Sequence, residues 1–142
     1  MARFFFALPT SFPVPRADHF AFLVSDLDAA IEFYGNVLGL KLLSRDRDDE
    51  LGEEFAFFAL EGGNLELLAK QPKGSARPAL PVGNCPHLAL ASDDLDADLK
   101  RLRSHGVEQV SGPHEIPGLS RWFYFQDPDG NVLEYVQWIE GS

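Results

Sequence analysis

The sequence predicts an α+β fold built from two tandem βαβββ modules, whose curled mixed sheets surround a central cavity. Three observations predict it. The chain repeats itself at an offset of 68 residues, each copy runs through strand-type and helix-type hydrophobic periods in the same order, and a Pro-, Gly- and Ser-containing stretch separates the copies. At that offset His19 falls on His87, Ala21 on Ala89, and Asp26-Leu27-Asp28-Ala29 on Asp94-Leu95-Asp96-Ala97. Leu51, Phe55, Phe57 and Gly62 then meet Leu119, Phe123, Phe125 and Gly130, and Leu65-Glu66 meets Leu133-Glu134. These are twelve identities without a gap, where composition alone gives roughly three or four. Residues 1–16 form an N-terminal extension, 17–70 the first module, 71–84 the linker and 85–138 the second module, the two modules making one domain.

Each module opens with a short strand, His19 to Val24 and His87 to Ala91. A helix follows, announced by Asp26 and Asp94, whose carboxylates suit the orphan N–H groups of a first turn. Leu27, Ile31, Tyr34 and Leu38 recur at helical spacing, as do Leu95, Leu99 and Leu102. Gly39 and Gly106 stand where a left-handed residue ends each helix. Three more strands are predicted at residues 40–44, 55–60 and 65–69, with partners in the second half. Asp127-Pro128-Asp129-Gly130 marks the last turn, with Pro fixing φ and Gly free to take φ > 0.

Side chains alternate along a strand, so faces are read by parity. Phe20, Phe22 and Val24 share one face of the opening strand, and His19, Ala21 and Leu23 the other. Leu88 and Leu90 divide from His87, Ala89 and Ala91 in the same way. The bulky face is expected under the helices, and the face bearing a histidine and small residues is expected to stay open. Glu66 and Glu134, each between apolar neighbours, point away from the apolar face. Trp122 and Tyr124 alternate with Phe123 and Phe125 and are predicted to line the cavity as substrate-binding residues.

The composition restricts the function. A chain of 142 residues, 45% hydrophobic and 24% charged, suits one packed domain. With 12 basic and 22 acidic side chains its formal charge is −10, which argues against nucleic acid and against an anionic membrane surface as partners. No apolar run reaches the roughly 20 residues of a bilayer span. Phe4-Phe5-Phe6-Ala7-Leu8 is cut off by Pro9, short of a secretory segment. The single cysteine, Cys85, excludes an intrachain disulfide and fits a reducing, cytoplasmic setting. A small-molecule partner is the expectation.

One imidazole and one carboxylate come from each module at the same spacing of 47 residues: His19 with Glu66, His87 with Glu134. Should all four face one cavity, they make a two-nitrogen, two-oxygen site. A buried carboxylate without a partner is costly, and one divalent ion per site satisfies the set. Such ligation admits Zn, Ni, Co, Fe or Mn, and leaves an octahedral ion two positions for substrate oxygens. His105 and His114 have no repeat counterpart and read as surface residues; Cys85 reads as a small buried filler; residues 46–54 read as a solvated acidic loop. Arg121, Arg45 and Lys70 are candidate anion contacts at the cavity rim.

The stretches DHFAFLVSDLDAAIEFYGNVLGLKLL, NLELL, HLALASDDLDADLKRLRSHGV and FYFQDPDGNVLEYV resemble the vicinal oxygen chelate superfamily over residues 17–138. The resemblance implies a glyoxalase-like fold curled around a metal, in chains that often form homodimers, with ligands from one subunit or shared between two. Bacterial glyoxalase I uses a His, Glu, His, Glu set, which falls on His19, Glu66, His87 and Glu134. In that chemistry the metal holds the oxygens of a hemithioacetal while a carboxylate moves a proton between adjacent carbons through an enediolate. Carried over, Glu134 is the catalytic base and Glu66 assists. Leu23 stands where glyoxalase I carries an arginine for the glutathione carboxylate, so the thiol is left open.

Other branches match less well. Methylmalonyl-CoA epimerase resembles DDELGEEFAFFALEGGNLELLAK but has Gln as its second ligand. Fosfomycin-resistance transferases share the tyrosine at Tyr124, but they lack a carboxylate at Glu66 and carry threonine where Ala21 stands. Extradiol dioxygenases use two His and one Glu on Fe(II), and bleomycin-binding proteins have no ligand set. The expectation is a metal-dependent lyase or isomerase of the glyoxalase I type. The alternatives are an Fe(II) oxygenase, an epimerase, a fosfomycin-type transferase or a non-catalytic small-molecule-binding protein. The Phe-rich N-terminus is a candidate for packing on a partner subunit.

Overall fold

The computed structural model describes residues 15–74 and 85–139. The Phe-rich segment and most of the linker lie outside the described residues. The first module contains β1 (His19–Val24), α1 (Leu27–Glu32), β2 (Leu42–Asp48), β3 (Glu53–Phe58) and β4 (Asn64–Lys70). The second contains β5 (His87–Ala91), α2 (Leu95–Ser104), β6 (Ser111–Ile116), β7 (Ser120–Gln126) and β8 (Val132–Trp138). Each module is βαβββ, as predicted.

Each forms its own four-stranded sheet, ordered β1-β4-β3-β2 and β5-β8-β7-β6. The opening strand pairs in parallel with the closing one, and the other pairs are antiparallel. A parallel pair needs a long crossover, which the helix and two middle strands supply. Asp26 accepts from the Ala29 N–H at 3.2 Å and Asp94 from the Ala97 N–H at 3.0 Å, so both predicted caps form. The Ala29 contact and Lys73 hold the Asp26 carboxyl below its ordinary pKa. Gly39 and Gly106 take positive φ after their helices. The predicted helical face holds, with Leu27, Tyr34 and Leu38 buried and Ile31 packed against them, although Phe33–Val37 close the helix as a π turn.

β1 and β5 have the predicted bounds, whereas β2 and β4 run longer than predicted and β3 begins earlier. β2 and β3 absorb most of the acidic stretch expected to be a loop, leaving a short turn around Asp49 to Gly52.

The gapless repeat fails over β2 and β3, whose counterparts stand one residue out of step. Glu66 lies opposite Phe57, whereas Glu134 lies opposite Tyr124, so the second module has one more residue between these positions. Phe57 is therefore the equivalent of Tyr124, and Ala56 and Phe58 in the core are the equivalents of Phe123 and Phe125. The Phe55/Phe123 and Phe57/Phe125 identities are out of register. A one-residue slip flips every side chain to the other face.

A single apolar core joins the modules, with Val24, Tyr34, Phe58, Leu65 and Leu67 from the first and Leu95, Leu102, Phe123, Phe125 and Leu133 from the second. The bulky face of β1 is only partly covered. Val24 is buried, but Phe20 is half-exposed and, with Phe22, Leu88, Leu90 and Tyr135, walls an apolar cavity of about 820 Å³.

A polar latch crosses the same core. Tyr34 donates its hydroxyl to Asp127 Oδ2 at 2.9 Å, and Asn131 Nδ2 donates to that oxygen at 2.8 Å and to the Leu23 carbonyl at 3.1 Å. The backbone N–H groups of Asp129 and Asn131 donate to Asp127 Oδ1, both at 2.9 Å. Burial raises the Asp127 pKa above its ordinary 3.8, against the opposing bonds from Asn131 and Tyr34. Folding thus tightens the hold on this proton, so the stability it contributes is full below pH 3.8 and is lost as pH rises through the raised folded value. Urea unfolding is expected to show the gap between wild type and Asp127→Asn widening as pH falls from about 7 to about 4.

Candidate metal centre and substrate face

The two predicted His–Glu pairs form, one on the open face of each sheet. His19 Nε2 lies 3.4 Å from Glu66 Oε2, and His87 Nε2 lies 2.8 Å from Glu134 Oε2. The strand registers explain the match. Ala21 stands opposite Glu66 and Ala89 opposite Glu134, and these small residues leave each carboxylate room beside the histidine two positions upstream. An aromatic ring meets each imidazole edge-on: Phe57 against His19 at 5.7 Å and 83°, Tyr124 against His87 at 5.3 Å and 76°.

The far side of each ring is also held. His19 Nδ1 lies 2.7 Å from Asp18 Oδ2, and His87 Nδ1 lies 3.6 Å from Cys85 Sγ. The Asp18 bond, opposed by desolvation and aided by the Glu66 charge, holds the His19 pKa above 6.5. With Nδ1 occupied, Nε2 is the nitrogen presented beside the carboxylate, the arrangement that metal-binding histidines use. The Glu66 and Glu134 side chains are only 16% and 13% exposed, so each needs compensating positive charge. Two such nitrogen–oxygen edges fit a divalent ion of the borderline type.

The pairs themselves stay apart. Among the described residues of one chain, no three His, Cys, Asp or Glu side chains come together as a metal site. Each open face carries half of the predicted ligand set.

Trp122 and Tyr124 lie on the open face of the second sheet, Tyr124 directly across from Glu134. Desolvation, and then the Glu134 charge, raise the Tyr124 pKa above 10. The predicted rim cations are already neutralised: Arg45 by Asp28 at 2.7 Å, Arg121 by Asp96 at 3.2 Å and Lys70 by Glu53. Cys85 is exposed rather than buried, because it stands at the mouth of β5 beside His87. His114 is exposed, as expected of a surface residue, and belongs to β6, paired across from Trp122. The contacts of Asp18 and Cys85 with the two imidazoles escaped the sequence reading; their signal was adjacency to a strand histidine, one and two positions upstream. Among the described residues, no helix is long and apolar enough to cross a membrane.

Comparison with known proteins agrees with the fold. Uncharacterized protein YwbC of Bacillus subtilis is 33% identical over 86% of this chain and 97% of its own length. A lactoylglutathione lyase of Haemophilus influenzae is 31% identical over 84% of this chain and 90% of its own. TnmS3, an antibiotic binding protein from Streptomyces sp. CB03234, superposes with a TM-score of 0.70 at 28% identity, covering 90% of this chain and 99% of that one. The family profile matches residues 16–135, and with two βαβββ modules and relatives above 30% identity the chain belongs to the glyoxalase/bleomycin resistance protein/dioxygenase superfamily.

Proposed function

We propose that this protein is a metal-dependent lyase or isomerase of the glyoxalase I type. It works as a homodimer in which His19 and Glu66 of one copy and His87 and Glu134 of a second hold one divalent ion. The observation that carries the reading is the pair of matched half-sites: each presents an imidazole Nε2 and a poorly exposed carboxylate together, and neither is complete alone. Similarity to lactoylglutathione lyases supports the reaction class. The ion, when bound, supplies Lewis-acid polarisation of two adjacent substrate oxygens.

The chain's own residues do the rest. Glu134 takes the proton from the carbon beside the carbonyl and returns it to the neighbouring carbon, and Glu66 assists. Tyr124, across from Glu134, and Trp122 give the substrate an apolar wall that limits water at the carboxylate. A cytoplasmic setting suits the exposed thiol of Cys85.

Elemental analysis and a methylglyoxal assay with several thiols test the proposal. We expect about one divalent ion per chain, turnover abolished by chelation and turnover restored by added metal. Metal-free protein that turns over equally well overturns it. Similarity to TnmS3 favours one second reading, a small-molecule-binding protein, which predicts ligand binding indifferent to chelator.

A further inference from the structure

His114 is a histidine outside the repeat that the fold nevertheless brings to the open face. In a regular strand, residues three apart point to opposite faces. β6 breaks that rule between Ser111 and His114, where the register shifts, so Ser111 stands opposite Tyr124 and His114 opposite Trp122. Both then share a face with Glu134. Gly112 makes the bulge: its φ is +95°, and a Cβ there would lie 3.0 Å from both His114 Cδ2 and the Trp122 carbonyl oxygen. Bulges of this kind re-aim side chains beside functional sites.

The re-aimed ring sits in a defined place. Its centroid is 5.5 Å from Trp122 and 6.3 Å from Tyr124, and the same Tyr124 ring is 5.3 Å from His87. His114 Nε2 lies 2.6 Å from Ser111 Oγ. The Cδ2–Nε2 edge therefore faces Gly112 and Ser111, and the Nδ1 edge turns away from them. When the Ser111 hydroxyl donates to Nε2, the neutral ring carries its proton on Nδ1. That Nδ1 has no hydrogen-bond partner among the described residues. Arg45, Arg121 and Lys70 are each held by a carboxylate, whereas His114 is held by a neutral hydroxyl.

We infer that His114, seated by Ser111, is a specificity-determining residue that receives a carboxylate of the substrate, on the opposite side of Tyr124 from His87. The inference rests on reading this face as the substrate side of the proposed metal centre. It makes the substrate a chelating oxygen compound with an additional acid group.

Calorimetry on the zinc-loaded protein with acetohydroxamate and with the monohydroxamate of succinic acid tests it. Wild type is expected to bind the carboxylate-bearing ligand about tenfold more tightly. In His114→Phe, which keeps a ring against Trp122, the ratio is expected to collapse to about one. Equal affinities in wild type, or a preference that survives in His114→Phe, overturn the inference. If neither hydroxamate binds, the metal-centre reading fails. Imidazole NMR of the metal-free protein with millimolar succinate then decides His114 separately: a selective shift of its signals supports the contact, and an unmoved His114 overturns it.

Discussion

Replacing Glu134 with Gln is expected to lower kcat in the methylglyoxal assay about 10³-fold, within the range that a positioned base contributes. The substitution is nearly isosteric and keeps a carbonyl oxygen toward the ion, but an amide is too weak a base to take the proton that the carboxylate accepts. Glu134 is the stronger candidate because Tyr124 lies directly across from it and brings a hydroxyl to the same face as the carboxylate. Phe57 offers Glu66 a ring without a hydroxyl. Steady-state kinetics with parallel metal analysis separates loss of the base from loss of the ion. A Glu134→Gln variant that keeps its metal and turns over within a few-fold of wild type puts the base elsewhere.

Asp127→Ala is expected to destabilise the fold by about 3 kcal/mol, or roughly 10 °C in Tm. The carboxylate accepts from Tyr34 and Asn131 side chains and from two backbone N–H groups. Truncation strands the Tyr34 hydroxyl, whose residue is fully buried, and loosens Asn131 from the Leu23 carbonyl, the bond that ties the second module to β1. Tyr34→Phe removes one donor and is expected to cost about 1 kcal/mol. Thermal melts of the two variants and their double should show sub-additive losses, because both act on one network. A melt for Asp127→Ala within about 2 °C of wild type contradicts this account of the latch.

Much of the fold was legible because two periodicities and a repeat agree. Parity separated His19 from Phe20 and Phe22 along β1 and His87 from Leu88 and Leu90 along β5, and the caps at Asp26 and Asp94 fixed where the helices begin. The repeat also located both His–Glu pairs, because His19 and Glu66 recur as His87 and Glu134 at one offset, each on a strand. What stayed hidden depended on pairing across strands. The register slip at Phe57 and Tyr124 cannot be seen in a gapless comparison, since aromatic residues fill both parities of β3 and β7. His114 is exposed, as its surface reading has it, but the bulge that aims it stayed hidden because Gly112 and Pro113 imitate a turn inside a strand. Asp127 read as a turn residue, and nothing in the local sequence announces that Tyr34, 93 positions away, donates to it.

The central claim is that two copies complete one metal centre, and mixing complementary variants tests it most directly. One chain carries His19→Ala with Glu66→Ala, the other His87→Ala with Glu134→Ala. Each alone should bind no stoichiometric metal, whereas the purified heterodimer, with one intact pair on each chain, should hold one ion and recover turnover. A heterodimer as empty as its parents, or a parent variant that keeps its full metal content, would contradict the shared centre.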